Sequence, residues 1–192
     1  MGLFYIEKGK DGHLLAVWEQ QGPVLRTEKR EKERSMVEHL LDTLFGPDCT
    51  LGHRPNGAPF LPDRSDSISI AHTHRFAVVL THPQKQVGVD IEYLGRDFSA
   101  VENKALSTIE QEYLSSEHRS LQLAIIWSAK EAIYKYLSKE GVDFSRQITI
   151  EKFLPNASGR LQAQFLEDDG KIFSILVNYK IVENHILTYI IK

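Results

Sequence analysis

Apolar positions along the chain follow two different periods, and the switches between them mark the elements. Alternation over residues 3–6 and 13–18, on either side of Asp11-Gly12, predicts a β-hairpin. A period of 3.6 then takes over. Met36, Val37, Leu40, Leu41 and Leu44 form one stripe, which predicts a helix opening with Thr27 as N-cap and ending at Gly46-Pro47. Residues 52–66 hold two glycines and three prolines among polar spacers and read as loop. Strands are predicted at 67–72, 76–81 and 86–93, and helices at 99–118 and 120–138. Leu123, Ile126, Ile133 and Leu137 share one face of the second helix. Strand patterning returns at 147–153, 161–166, 171–179 and 186–191, with Asp169-Gly170 as a hairpin turn. This order predicts an α+β fold of two similar lobes, residues 1–94 and 95–192. Each lobe is expected to be a mostly antiparallel sheet packed with a long helix.

Composition narrows the class. The 192 residues are 42% hydrophobic and 26% charged, enough apolar material for a packed core and too much for a disordered chain. No apolar run approaches the length of a membrane span, and the opening MGLFYIEKGK lacks a basic region followed by a long apolar one. A soluble, cytoplasmic protein with no membrane partner is expected. Cys49 is the sole cysteine, so neither an intrachain disulfide nor a thiolate zinc site is available, and Pro47, Asp48 and Thr50 around it suit a loop role. The net charge of −3 gives no whole-molecule attraction to nucleic acid, and none is expected as a partner. Arg26, Lys29, Arg30 and Lys32 form a local basic run. Glu28, Glu31 and Glu33 interleave with it, as on a solvated helix face.

Two segments carry candidate chemistry. In Val87-Gly88-Val89-Asp90-Ile91-Glu92-Tyr93, strand alternation puts Asp90 and Glu92 on one face, about 7 Å apart at their Cα atoms. Two carboxylates so placed suit a shared cation, and Gly88 leaves the backbone open to a ligand. Asp-x-Glu is common, however, and an ordinary half-buried strand with a solvated outer face is the plainer reading of this segment alone. In Trp127-Ser128-Ala129-Lys130-Glu131-Ala132-Ile133-Tyr134-Lys135, Glu131 and Lys135 stand one helical turn apart, with Trp127 one turn before them. A surface ion pair explains them equally well, until the apolar flanks place both charges beside packed surface. Three carboxylates from a strand and a helix suit Mg²⁺, which prefers oxygen ligands and bridges to substrate phosphates. A lysine one turn away suits a phosphate oxygen as a point charge.

Together the segments resemble the 4′-phosphopantetheinyl transferase superfamily, with motifs of the form G-[VI]-D-[IV]-E and W-[ST]-x-K-E-[AS]-x-x-K. They stand here as Gly88–Glu92 and Trp127–Lys135, within a motif-bearing region spanning 86–140. Leu106-Ser107-Thr108-Ile109-Glu110 between them resembles the family's F-[ST]-x-x-E helix. Asn56-Gly57-Ala58-Pro59 is similar to its N-x-G-K-P loop, and Ile68–Thr73 to its N-I-S-H-S strand end. The length resembles the two-lobed, single-chain (surfactin-synthetase-activating) type. The resemblance implies a monomeric enzyme that moves the phosphopantetheine arm of coenzyme A to a serine of an apo acyl or peptidyl carrier protein, releasing adenosine 3′,5′-bisphosphate. Such carriers serve fatty-acid, polyketide or nonribosomal peptide biosynthesis. By resemblance, Asp90, Glu92 and Glu131 hold Mg²⁺, and Lys135 neutralises the pyrophosphate. Glu131 is the first candidate base and Glu110 the second. Arg34, Gly57, Pro59, His72 and Thr73 contact coenzyme A, with His72 and Arg34 at its 3′-phosphate. Ala58 stands in place of the family's loop lysine. Ala71 replaces the serine before the family histidine, which removes one hydroxyl contact.

Other classes compete. The same carboxylates would serve a Mg²⁺-dependent nuclease or phosphohydrolase that activates water. His72-Thr73-His74 with His53 or His82 offers a zinc reading. A non-catalytic carrier-binding relative is the remaining alternative, and it has no need of Asp90, Glu92, Glu131 and Lys135 together.

Overall fold

The computed structural model describes residues 2–22 and 26–192; the side chain of Arg26, one of the basic run, lies outside the described residues. The chain divides into two compact units. One comprises Met1–Ile91 with Ile191–Lys192, and the other Glu92–Ile190. The sequence pattern puts this division at 94/95.

In the first unit, β1 (Gly2–Lys8) and β2 (Leu14–Glu19) form the expected hairpin, with an irregularity between Leu3 and Tyr5. Arg26–Glu28 is a single 3-10 turn, and α1 runs over Lys29–Phe45. Thr27 therefore lies inside that turn and is not the N-cap. Glu28 holds the cap position without a side-chain hydrogen bond. The helix stops where expected, at Gly46, whose positive φ of 91° turns the chain away. Two short strands, β3 (Gly52–His53) and β4 (Pro59–Phe60), pair within the segment read as loop. Then β5 (Ser67–His72), β6 (Phe76–His82) and β7 (Val87–Tyr93) follow. The first sheet has the order β1-β2-β6-β5, antiparallel throughout. Met36, Val37, Leu40 and Leu41 of α1 pack with Ala16, Ala77 and Val79 of that sheet, so the predicted stripe is the buried one.

In the second unit the expected 99–118 helix is two helices, α2 (Ser99–Ala105) and α3 (Thr108–Tyr113). Ser107 breaks them. Its side chain accepts from the Glu110 amide, and the Glu110 carboxylate accepts from the Ser107 amide, a reciprocal capping box. Next come α4 (Arg119–Leu137) and the single turn α5 (Phe144–Gln147), then β8 (Ile148–Ile150), β9 (Ser158–Leu166), β10 (Ile172–Val182) and β11 (His185–Ile191). Within this unit the strands β11-β10-β9-β8 are neighbours in that order. Ile125, Ile126, Ala129 and Ile133 of α4 sit in one core with Ile148, Ala163, Val177 and Ile186. The architecture is α+β, with antiparallel sheets and packed helices. No described helix is long and apolar enough to cross a membrane.

Candidate active site

Within β7 the alternation is overridden by burial. Val87 through Ile91 are all buried, Asp90 is only 6% exposed, and Glu92 is half-buried. A solvated outer face would leave both carboxylates in water, so the ordinary-strand reading does not describe this segment. The Val89 amide donates to the buried hydroxyl of Ser69 at 3.0 Å, which fixes the strand next to Asp90.

In the second unit, Glu92 meets the helix motif directly. Trp127 Nε1 donates to Glu92 Oε1 at 2.7 Å, and Arg96 Nη1 donates to the same oxygen at 2.8 Å. The Arg96 guanidinium lies 5.2 Å from the Phe98 ring centre and 5.8 Å from that of Trp127. Glu131, one turn beyond Trp127, borders a cavity of about 650 Å³ whose lining includes Arg96, Lys104, Trp127, Asp143 and Phe144. Lys135 lies one further turn along α4, half-buried in its last turn, where a cation also meets the negative end of the helix.

Glu110, the second candidate base, lies in an enclosed setting. It is 0% exposed. Its Oε2 accepts from Lys130 Nζ at 2.6 Å and from the Ser107 amide at 2.6 Å, while Oε1 accepts from the Ile150 amide at 2.8 Å. Lys130, also 0% exposed, donates besides to the carbonyls of Ala105, Ile148 and Phe144 at 2.7, 2.7 and 2.9 Å. Burial pulls the Lys130 pKa down, and Glu110 opposes that pull. Both oxygens of the Glu110 carboxylate are thus engaged by a cation and two amides, which gives it a structural role. The pair ties α2, α3, α5 and β8 to α4. The sequence reading missed this role for Lys130 and the contact of Arg96. The signal for the first was Ser107-x-x-Glu110, a capping-box pattern; the second, between a strand and the turn after it, has no periodic signal.

Apart from Lys135, the residues expected at coenzyme A lie in the first unit. Arg34 is 81% exposed and bonds Glu38 at 2.9 Å. His72 Nδ1 stands 3.5 Å from Glu33 Oε1. Thr73 is engaged locally: its hydroxyl accepts from the Arg75 and Phe76 amides at 3.3 and 3.1 Å, closing the turn from β5 to β6. That leaves the Thr73 hydroxyl hydrogen for a ligand. Gly57 takes a φ of 81°, and the turn is tied by its amide to the Arg54 carbonyl at 2.8 Å and by the Ala58 amide to Asn56 Oδ1 at 3.1 Å. Glycine serves the turn there, and Pro59 follows as the first residue of β4. In the basic run, Lys29 pairs with Glu33 at 3.6 Å and Lys32 with Glu28 at 2.9 Å, as on a solvated face. Burial pushes the Cys49 thiol pKa up, away from nucleophilic use.

Among the described residues, no three His, Cys, Asp or Glu side chains converge closely enough to hold a metal ion by themselves. A structural zinc draws all four ligands from protein, and His82 Nδ1 is already spent on the Gln84 and Lys85 amides at 3.0 and 2.9 Å. The histidine set does not fit zinc. Mg²⁺ makes a different demand, taking one or two carboxylates and completing its shell with water and substrate phosphate. Glu92 fits it, because both its hydrogen bonds fall on Oε1, the arrangement by which outer donors orient a carboxylate whose other oxygen faces a metal.

The 4'-phosphopantetheinyl transferase superfamily model matches residues 86–190, from the start of β7 almost to the end of β11. That is more than half of the chain, and the chain belongs to this superfamily of transferases, which use coenzyme A and carrier proteins. No curated protein matches it.

Proposed function

We propose that this protein transfers the 4′-phosphopantetheine arm of coenzyme A to the serine hydroxyl of an apo acyl or peptidyl carrier protein and releases adenosine 3′,5′-bisphosphate. We place it with the two-lobed, single-chain type, acting as a cytoplasmic monomer. The observation that carries the reading is the Trp127–Glu92 hydrogen bond, which joins the two acidic motifs of the matched region at one carboxylate. Asp90, Glu92 and Glu131 are the groups that would hold Mg²⁺; the ion supplies charge neutralisation on the pyrophosphate. In the reaction a bond forms between the carrier serine oxygen and the pantetheine-side phosphorus. The bond from that phosphorus to the bridging oxygen breaks, and the electron pair leaves with the nucleotide. Lys135 offsets the charge that grows on the departing phosphate. The serine proton goes to a base, and Glu131 at the cavity wall takes that role better than the enclosed Glu110. Arg34, His72, Thr73, Gly57 and Pro59 are the proposed contacts to coenzyme A.

Chromatography of the nucleotide products tests the reading. Adenosine 3′,5′-bisphosphate is expected only when coenzyme A, apo carrier and Mg²⁺ are all present. EDTA is expected to stop it and added Mg²⁺ to restore it. Nucleotide released at the same rate without carrier would instead identify a phosphohydrolase.

A further inference from the structure

Arg96 belongs to neither motif, yet it holds the carboxylate that the functional reading gives to the metal. Its Nη1 lies 2.8 Å from Glu92 Oε1, and its guanidinium is steadied by the rings of Phe98 and Trp127. At 48% side-chain exposure, a flexible cation needs such support to keep one position. Orientation alone does not require it. Trp127 already fixes Glu92 through a neutral N–H on the same oxygen, so what Arg96 adds is a positive charge. A fixed cation beside a metal ligand neutralises the carboxylate when no ion is present and repels a divalent ion that arrives alone.

We propose that Arg96 is a built-in counter-cation of Glu92 that weakens divalent-ion binding until a diphosphate comes with the ion. The inference rests on Glu92 being a metal ligand and adds an ordering to it. The negative phosphates of coenzyme A offset the charge of Arg96, so metal and co-substrate enter as a couple and each raises the affinity of the other. Metal loading without the co-substrate is suppressed. Arg96 and Trp127, the two donors to Glu92, both line the cavity that Glu131 borders.

The test measures Mn²⁺ binding to the full chain by electron paramagnetic resonance of the free ion, with and without coenzyme A. Arg96→Gln keeps a hydrogen-bond donor and removes the charge, Arg96→Met keeps the stem over Phe98, and Arg96→Lys keeps the charge. Without coenzyme A, the Gln and Met variants are expected to bind Mn²⁺ roughly tenfold more tightly than the parent. Arg96→Lys should stay near the parent, and the gain from adding coenzyme A should shrink in the two neutral variants. Unchanged or weaker binding in both neutral variants, with the parent still binding Mn²⁺ beside coenzyme A, overturns the counter-cation and leaves the functional reading intact. No Mn²⁺ binding by any of these proteins, even with coenzyme A, overturns both.

Discussion

At the scale of single residues, the acidic groups of the second unit have unlike tasks set by their surroundings. Glu131 borders a cavity, Glu92 is oriented through one oxygen, and Glu110 is enclosed with Lys130. In the proposed mechanism, Glu131→Gln removes the proton acceptor and one of the metal-holding carboxylates while changing little volume. It is expected to lower kcat by about a hundredfold or more with the melting temperature nearly unchanged. A variant that keeps parental kcat removes Glu131 from the mechanism. Lys130→Met should act the other way. Leaving the Glu110 carboxylate buried without its cation costs about 3–5 kcal/mol, read as a fall in the urea midpoint. Lys130→Met with Glu110→Leu should recover part of that loss, since no charge is left stranded, although the backbone amides and carbonyls that the pair engaged lose these partners. No recovery at all in the double variant would mean that the stranded charge is not what the single variant loses. Here the sequence was legible in part. Motif spacing picked out Asp90, Glu92, Glu131 and Lys135, but the pattern cannot separate an enclosed carboxylate from an open one. The enclosure of Glu110 by Lys130 was hidden for that reason, and Arg96, lying outside both motifs, went unread.

Elements were legible where periodicity is long and uninterrupted. The α1 stripe, the α4 face and the run through β5, β6 and β7 all lie where apolar spacing puts them, because burial of one face or both sets the pattern. Ends and breaks were harder. The 99–118 stretch keeps helical spacing on both sides of Ser107, so the local capping box, which decides the break, is weaker in the sequence than the period around it. The β1–β2 turn shows a similar local device. Asp11 accepts from His13 Nδ1 at 2.6 Å and from Lys85 Nζ at 3.2 Å. The His13 hydrogen bond is the main cause that holds the Asp11 carboxyl well below its ordinary pKa of 3.8. A depressed carboxylate contributes stability that is present above the unfolded value and lost as pH falls through the folded one, because the unfolded chain then binds more protons. Asp11→Asn is therefore expected to lower stability at neutral pH and to flatten its decline below about pH 4. Acid titrations of the urea midpoint read this directly. Parallel curves for parent and variant would remove Asp11 from the acid response.

At the scale of the molecule, the α+β class and the two-part organisation follow from the order of strands and helices, with each unit holding a sheet and a long helix. The division falls inside β7, between Ile91 and Glu92, and the last two residues return to the first unit. A boundary within a continuous strand leaves no glycine or proline mark in the sequence, and the sequence pattern puts it three residues later, after Leu94 and before Gly95. The central claim is that the matched region moves an intact phosphopantetheine arm and does not merely cleave coenzyme A. Intact-mass spectrometry of an apo carrier protein, incubated with the enzyme, coenzyme A and Mg²⁺, tests it most directly. The account predicts that the carrier gains the mass of one phosphopantetheine arm at its serine and that Glu131→Gln slows the gain by about a hundredfold or more. A panel of apo acyl and peptidyl carriers that all keep their starting mass while coenzyme A is consumed would contradict it.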